Sequence, residues 1–228
     1  MATSYSSTPE TTNANRASRI LLGPCTDQLR DALRQRVPPA NFHHVITRNR
    51  SSLPRLTQPQ RDLILPRSGR YSGDYSDMDV SLIYLLLRNI CNIPPHTKGW
   101  GNTPDMSDTS LSASIDRIRE ARNGVVHSSS TVLTQTEFND VRKDIKTAVI
   151  SMDSYLGNSN KYEKAVDFLL TETMDPEQDV FIEQLKKQVE EEQRTKEIVT
   201  KLEKQIHGNT PFSSFFFHSN EIKTIEVK

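Results

Sequence analysis

Apolar residues recur at spacings of three and four along the middle of the chain, a pattern typical of amphipathic helices. The densest apolar stretch, DVSLIYLLLRNIC at residues 79–91, is apolar nearly all round and predicts a central buried helix over about residues 77–92. Apolar stripes predict two further long helices, over about residues 109–127 and 134–156. No strand or hairpin pattern of any strength appears, so the sequence predicts an all-α fold, a helical bundle. Shorter helices are predicted over residues 27–37, 41–47, 58–64 and 158–172.

Polar residues and prolines predict where these helices begin and end. Thr134 and Glu137 have the spacing of a capping box, and Gly157 fits the C-terminal end of the same helix. Proline pairs at residues 38–39 and 94–95 are expected to stop the helices before them. Further N-cap candidates are Thr26, Ser76 and Asp108.

The two ends of the chain have a different composition from the middle. Residues 1–18, rich in Ser, Thr and Asn, are predicted to be a disordered tail. Residues 158–207 are predicted to be a helical arm, strongly charged from about residue 175. Its heptad positions are only partly apolar, so a coiled coil and a solvated helix both stay open. Residues 208–228 form a predicted tail with four phenylalanines, which leaves residues 19–157 as the packed bundle.

The charge of the chain is unevenly distributed although the formal net charge is zero. Residues 16–70 carry eleven Arg, three Asp and no Lys or Glu, a net charge of +8, whereas residues 71–228 carry −7. Arginine favours bidentate contacts with phosphate or carboxylate. The basic segment therefore fits either a nucleic acid or an acidic partner, which includes the acidic parts of the chain itself.

Several classes of protein and site are excluded by what the sequence lacks. It has no glycine-rich phosphate loop and no GxSxG motif, which excludes kinases, P-loop NTPases and α/β-hydrolases. Cys25 and Cys91 are too few for a disulfide framework or a cysteine-rich zinc site, and are expected to be buried or surface thiols. His43 and His44 would point about 100° apart on a helix, a poor chelate, so no metal or other cofactor is expected.

The same pattern of absences bears on location. No run of about 18 apolar residues occurs, so no membrane span is expected. The N-terminus has no apolar segment of the kind found in a secretory signal. We therefore expect a cytoplasmic protein.

One group of residues that could carry chemistry lies near the end of the helix predicted over residues 109–127, in the segment RNGVVH. His127 could act as a general acid or base near pH 7, and Arg122 could neutralise charge on a phosphate. Asn123 could bind the phosphate or orient the other two. The Arg-x4–6-His spacing also occurs at Arg36 and His43, as often as composition predicts. The spacing alone therefore does not distinguish a site from cations placed to stabilise a helix C-terminus.

Four segments occur in an order that resembles a known family. They are LIYLLLRNIC, IPPHTKGW, DTSLSASIDRIREARN followed by His127, and TEFNDVRKDI. Over about residues 77–156, and more loosely over residues 19–76, the chain resembles the HEPN domain (higher eukaryotes and prokaryotes nucleotide-binding). The type is the one found in the DAZ-interacting zinc-finger ubiquitin ligase. The resemblance implies an all-α HEPN-like bundle with a charged C-terminal helical arm.

The resemblance also implies an RNA-directed function. Many HEPN proteins are metal-independent endoribonucleases whose site pairs two Arg-x4–6-His motifs across a dimer. Carried over, Arg122, Asn123 and His127 occupy the motif positions. The implied partners are single-stranded RNA and a second copy of the chain, and attack by the 2′-hydroxyl would leave a 2′,3′-cyclic phosphate.

A non-catalytic function stays open beside this one. Four residues separate Arg122 from His127, where this branch of the family often has five. Several HEPN domains bind or scaffold without cleaving. The alternative is an interaction module that self-associates, or binds other proteins, in signalling or immune-type assemblies.

Overall fold

The computed structural model describes residues 8–67, 69–127, 132–157, 160–172 and 187–191, with single positions at 194, 195, 197, 198 and 201. All regular secondary structure in this part of the chain is helical, as the sequence predicts. Residues 1–191 form one compact unit and residues 192–228 a second. Most of the predicted charged arm and the phenylalanine-rich tail lie outside the described residues. The helices of the first unit are α1 (Pro9–Ile20), α2 (Thr26–Arg36), α3 (Pro39–Arg48), α4 (Gln58–Ile64), α5 (Val80–Ile90), α6 (Leu111–His127), α7 (Gln135–Leu156) and α8 (Lys161–Thr171).

Helices α5, α6 and α7 form the centre of the bundle. Helix α6 packs along α7 over the most extensive interface between the described helices, and α5 packs against α2 and α6. Because α5 is apolar nearly all round, most of its side chains are buried, which confirms the predicted central helix. Its buried aliphatic residues are Val80, Leu82, Ile83, Leu86, Leu87 and Ile90.

The ends of these helices follow local capping chemistry. At the start of α7 the Thr134 hydroxyl accepts from the Glu137 amide at 3.3 Å, and the Glu137 carboxylate accepts from the Thr134 amide at 2.9 Å. Gly157 then ends α7 in the left-handed conformation (φ 70°), so both predicted caps are confirmed. Helix α5 begins three residues later than predicted, because Asp79 rather than Ser76 caps it and accepts from the Leu82 amide at 2.7 Å.

The N-terminal segment differs from its prediction. Residues 9–18, predicted to be part of a disordered tail, belong to helix α1. A capping box between Thr8 and Thr11 and a proline at the first helical position start this helix. The buried face of α1 consists mainly of small and polar residues. Among them, the Asn13 side-chain amide donates to the Leu133 carbonyl at 3.4 Å. These contacts join residues more than a hundred positions apart, so no local pattern in the sequence marks them.

Helices α1 and α2 continue into one another, so Thr26 is not the N-cap that the sequence predicts. Residues Leu21–Cys25 form a π-helical turn with a kink at Gly23 (φ −91°, ψ −105°). Pro24 has no amide hydrogen to donate to the ladder, which explains a kink at this position. Thr26 has helical dihedral angles, and its hydroxyl donates to the Leu21 carbonyl at 2.7 Å.

Helix α8 packs on the bundle rather than belonging to a separate arm. Tyr162 and Val166 are buried, and α8 contacts both α7 and α1. The carboxylate of Asp153 on α7, itself buried, accepts from the Tyr162 and Glu163 amides at 3.0 and 2.9 Å. It also accepts from the Gln28 side chain at 3.1 Å. One buried carboxylate thus satisfies the free amides at the start of α8 and ties α7 to α2.

We expect Asp153→Ala to lower the free energy of unfolding by about 3 kcal/mol, because two amides at the start of α8 lose their acceptor and the Gln28 side chain loses one of its two. Urea unfolding followed by circular dichroism measures the change. The matched control is the exposed neighbour Ser154→Ala, which should change stability by less than about 0.5 kcal/mol. Equal stability of the two variants would show that α8 does not depend on this carboxylate.

Candidate functional site

Helix α6 carries all three residues of the predicted motif. Arg122 is among the largest fully buried side chains, with 2% exposure, and Asn123 beside it is half-buried. His127 is the last residue of α6, and its side chain lies outside the described residues. The structure therefore places the Arg122 guanidinium inside the bundle. A phosphate on the surface of this unit does not touch Arg122 unless neighbouring side chains move.

Earlier on the same helix, the fully buried carboxylate of Asp116 accepts three hydrogen bonds. Asp116 accepts from the Tyr84 hydroxyl at 2.9 Å, from His96 Nε2 at 3.1 Å and from the Gly101 amide at 3.1 Å. His96 Nδ1 accepts from the Lys98 amide at 3.3 Å, which leaves the ring hydrogen on Nε2 to donate to Asp116. These bonds join α5, α6 and the segment between them, residues 91–110, which we call the α5–α6 loop.

A buried arginine holds the other half of the α5–α6 loop. The Arg117 guanidinium donates to the Asp108 carbonyl at 2.7 Å and to the Asp105 carbonyl at 2.5 Å. Consecutive residues of α6, Asp116 and Arg117, therefore anchor opposite halves of the loop. The loop is held by side chains of the helix that carries the motif, so its position is coupled to α6.

Its position beside Asp116 also changes the pKa of Tyr84. Burial, followed by the nearby charge and hydrogen bond of Asp116, raises the pKa of Tyr84 to about 12. The phenol therefore remains protonated at neutral pH and keeps donating to Asp116.

Above this cluster lies a surface of aromatic and cationic side chains, Tyr84, Arg88, Trp100 and Arg119, which we call the α5–α6 patch. The rings of Tyr84 and Trp100 meet edge to face with centroids 6.0 Å apart, and the Arg119 guanidinium lies 5.1 Å from the centre of the Tyr84 ring. Arg88 is exposed, and its Nη1 lies 3.5 Å from where a Cβ on Gly101 would be.

The α5–α6 patch adjoins the motif on the same helix. Arg119 precedes Arg122 by three residues and Asn123 by four, spacings that place side chains on one side of a helix. Gly101 has φ +85°, a conformation that other residues rarely adopt, and it lets the loop backbone approach Tyr84 and Arg88. Sequence reasoning missed this patch and its anchor, because residues 84, 88, 100, 116 and 119 meet only through the fold.

The described residues contain two further candidate nucleophiles, the thiols of Cys25 and Cys91. Cys25 and Cys91 are both buried and unpaired, and burial raises the pKa of both thiols, that of Cys91 to about 12. In the described ranges no group of three or more His, Cys, Asp or Glu side chains could hold a metal ion. None of the helices described is long and apolar enough to cross a membrane.

The all-helical bundle has the architecture of a HEPN domain. More specifically, residues 39–181 match the family model of the DZIP3/hRUL138-like HEPN domain. Since the match covers well over half of the 228 residues, the chain belongs to this family, as its four sequence segments predict. The matched span starts at the first residue of α3 and includes α8. No curated protein and no solved structure matched the chain.

We expect Asp116→Asn to lower the free energy of unfolding by about 2 kcal/mol, because the cluster loses a charged acceptor. It should also shift the fluorescence of Trp100, the only tryptophan, since the α5–α6 loop loses its anchor. The control is Asp105→Asn in the same loop, whose ion pair with Lys98 is exposed to solvent and contributes little to stability. An unchanged Trp100 spectrum in Asp116→Asn would contradict the anchoring role.

Proposed function

We propose that this HEPN protein binds single-stranded RNA across the α5–α6 patch. The observation that carries the proposal is the combination of two guanidinium groups with two half-buried aromatic rings beside the motif helix. Single-stranded RNA is bound by stacking bases on aromatic rings and guanidinium planes while cations contact the phosphates. Asp116 lies 3.9 Å from Arg119 Nη1 and partly offsets that charge, whereas Arg88 forms no ion pair among the described residues and carries the positive charge of the patch.

The composition of the neighbouring segment supports the same partner. Residues 35–70 contain seven Arg and one Asp, with no Lys or Glu, so this part of the chain carries a net charge of +6. All seven of these arginines, at positions 36, 48, 50, 55, 61, 67 and 70, are exposed to solvent. A polyanion such as RNA gains affinity from dispersed cations because each phosphate contact releases counterions.

Cleavage of the bound RNA is the finer part of this proposal. His127 at the end of α6 would take the proton of the 2′-hydroxyl, whose oxygen would bond to phosphorus as the bond to the 5′-oxygen breaks, and the protonated imidazole of His127 from either copy would return a proton to that 5′-oxygen. Arg122 and Asn123 would stabilise the phosphate, with two copies of the chain pairing their motifs. The burial of Arg122 favours a second candidate, a non-catalytic module that binds RNA or self-associates without cleaving. The two candidates share a fold and differ in whether the motif reacts.

For binding, we expect Arg88→Gln to weaken the affinity for an end-labelled oligouridine about tenfold, a change of about 1.4 kcal/mol. The slope of log affinity against log salt should fall by about 0.7 if the variant touches one phosphate fewer. Fluorescence anisotropy measures both quantities. Arg142→Gln, which removes an exposed positive charge from α7, is the control. Equal affinities of the two variants would place RNA binding elsewhere.

For cleavage, the wild-type protein should cut single-stranded RNA in the presence of EDTA, leaving 2′,3′-cyclic phosphate ends. His127→Ala should reduce the rate by about a hundredfold or more, because a general acid–base residue contributes that much. Its affinity for a non-cleavable 2′-deoxy strand should match that of the wild type, which separates chemistry from binding. Absence of cleavage by the wild-type protein would leave the non-catalytic candidate.

A further inference from the structure

A cleft on another part of the bundle carries two of the exposed arginines. It has a volume of about 370 Å³ and opens between the C-terminal halves of α2 and α3 and the C-terminal end of α5. Its floor is apolar and includes Cys91, and its polar side chains are Arg36, His44, Arg48, Asn49 and Asn92. The cleft thus combines two guanidinium groups, an imidazole and two amides around a concave surface.

The charges of this cleft are not balanced by carboxylates. Its lining contains no Asp or Glu, and neither Arg36 nor Arg48 forms an ion pair within the described ranges. Earlier arginines of α2 behave differently, since Arg30 pairs with Asp27 at 2.8 Å and Arg34 with Asp31 at 2.7 Å. The sequence supplies acidic partners for the first half of α2 and none for its end.

A purely structural role for these arginines would be to stabilise helix C-termini. The ends of α2, α3 and α5 meet at the cleft, and each carries about half a negative elementary charge. Two full positive charges exceed these partial charges, so the cleft keeps a positive potential. The Arg36 guanidinium also lies 5.3 Å from the centre of the Tyr155 ring, a cation–π contact that orients it before any ligand binds.

We propose that this cleft binds a phosphodiester of single-stranded RNA, at a site separate from the α6 motif. The proposal rests on the RNA-binding function proposed above and adds a second contact to it. Arginine forks match the paired oxygens of a phosphate. Arg88 of the α5–α6 patch lies two residues before Ile90, which lines the cleft. Both sites therefore lie at the C-terminal end of α5 but about 200° apart around its axis, so a strand that contacts both passes around the end of this helix.

The test compares two double variants of the full-length protein in the oligouridine anisotropy assay. Arg36→Gln/Arg48→Gln removes the cleft arginines, and Arg142→Gln/Lys143→Gln removes two exposed cations of α7 that do not line it. The cleft variant should bind about tenfold more weakly or worse, with a salt slope lower by about 0.7 for each phosphate that it no longer touches. The control variant should change by less than about twofold.

The double variant removes the Arg36–Tyr155 interaction and could therefore destabilise the fold. Single variants that leave Arg36 in place test the cleft without this effect. Arg48→Gln alone should weaken binding at least threefold with an unchanged circular dichroism spectrum. Introducing a carboxylate with His44→Glu should weaken binding several-fold more than His44→Gln.

The outcomes distinguish this inference from the proposed function. If both double variants lose affinity equally, only overall charge matters and the cleft is not a site, while RNA binding stands. If the wild-type protein does not bind RNA, the proposed function and this inference fail together. If Arg88→Gln weakens binding and every cleft variant binds like the wild type, the cleft proposal alone is wrong.

Discussion

Helix α5 imposes the constraint on which the rest of the bundle depends. Seven of its eleven residues are buried, and burying each large aliphatic side chain stabilises the fold by about 1.5–3 kcal/mol. A helix with apolar residues on almost every side requires neighbours on almost every side, and α2 and α6 provide them. The narrow polar strip that remains on α5 carries Tyr84 and Arg88, so the same constraint determines where this helix meets solvent.

Buried polar groups then determine the detailed arrangement around this apolar centre. Asp116 receives donors from α5 and the α5–α6 loop, and Asp153 receives donors from α2 and α8. Apolar packing alone tolerates many arrangements, whereas a buried carboxylate is stable only where its donors converge. The position of the α5–α6 loop, and with it Trp100, is therefore a consequence of interior hydrogen bonding.

Arginine has two distinct roles in this chain, one for buried side chains and one for exposed side chains. Arg117 and Arg122 lie inside the bundle, where Arg117 supports the loop through backbone carbonyls. Arg36, Arg48 and Arg88 are exposed and remain available to a partner. For a HEPN domain this separation matters, because the arginine of the motif is buried while the exposed arginines lie outside the motif.

Local signals in the sequence determined the helical class, most helix positions and the caps of α7, because helical periodicity and capping act over a few residues. The identity of the HEPN family followed from four ordered segments. Only the tertiary structure decided that residues 9–18 join the bundle, since Asn13 finds its partner more than a hundred residues away. It also decided that Arg122 is buried and that Tyr84, Arg88, Trp100 and Arg119 share one surface. Burial and the pairing of polar groups depend on contacts between distant parts of the chain, and these leave no periodic trace in the sequence.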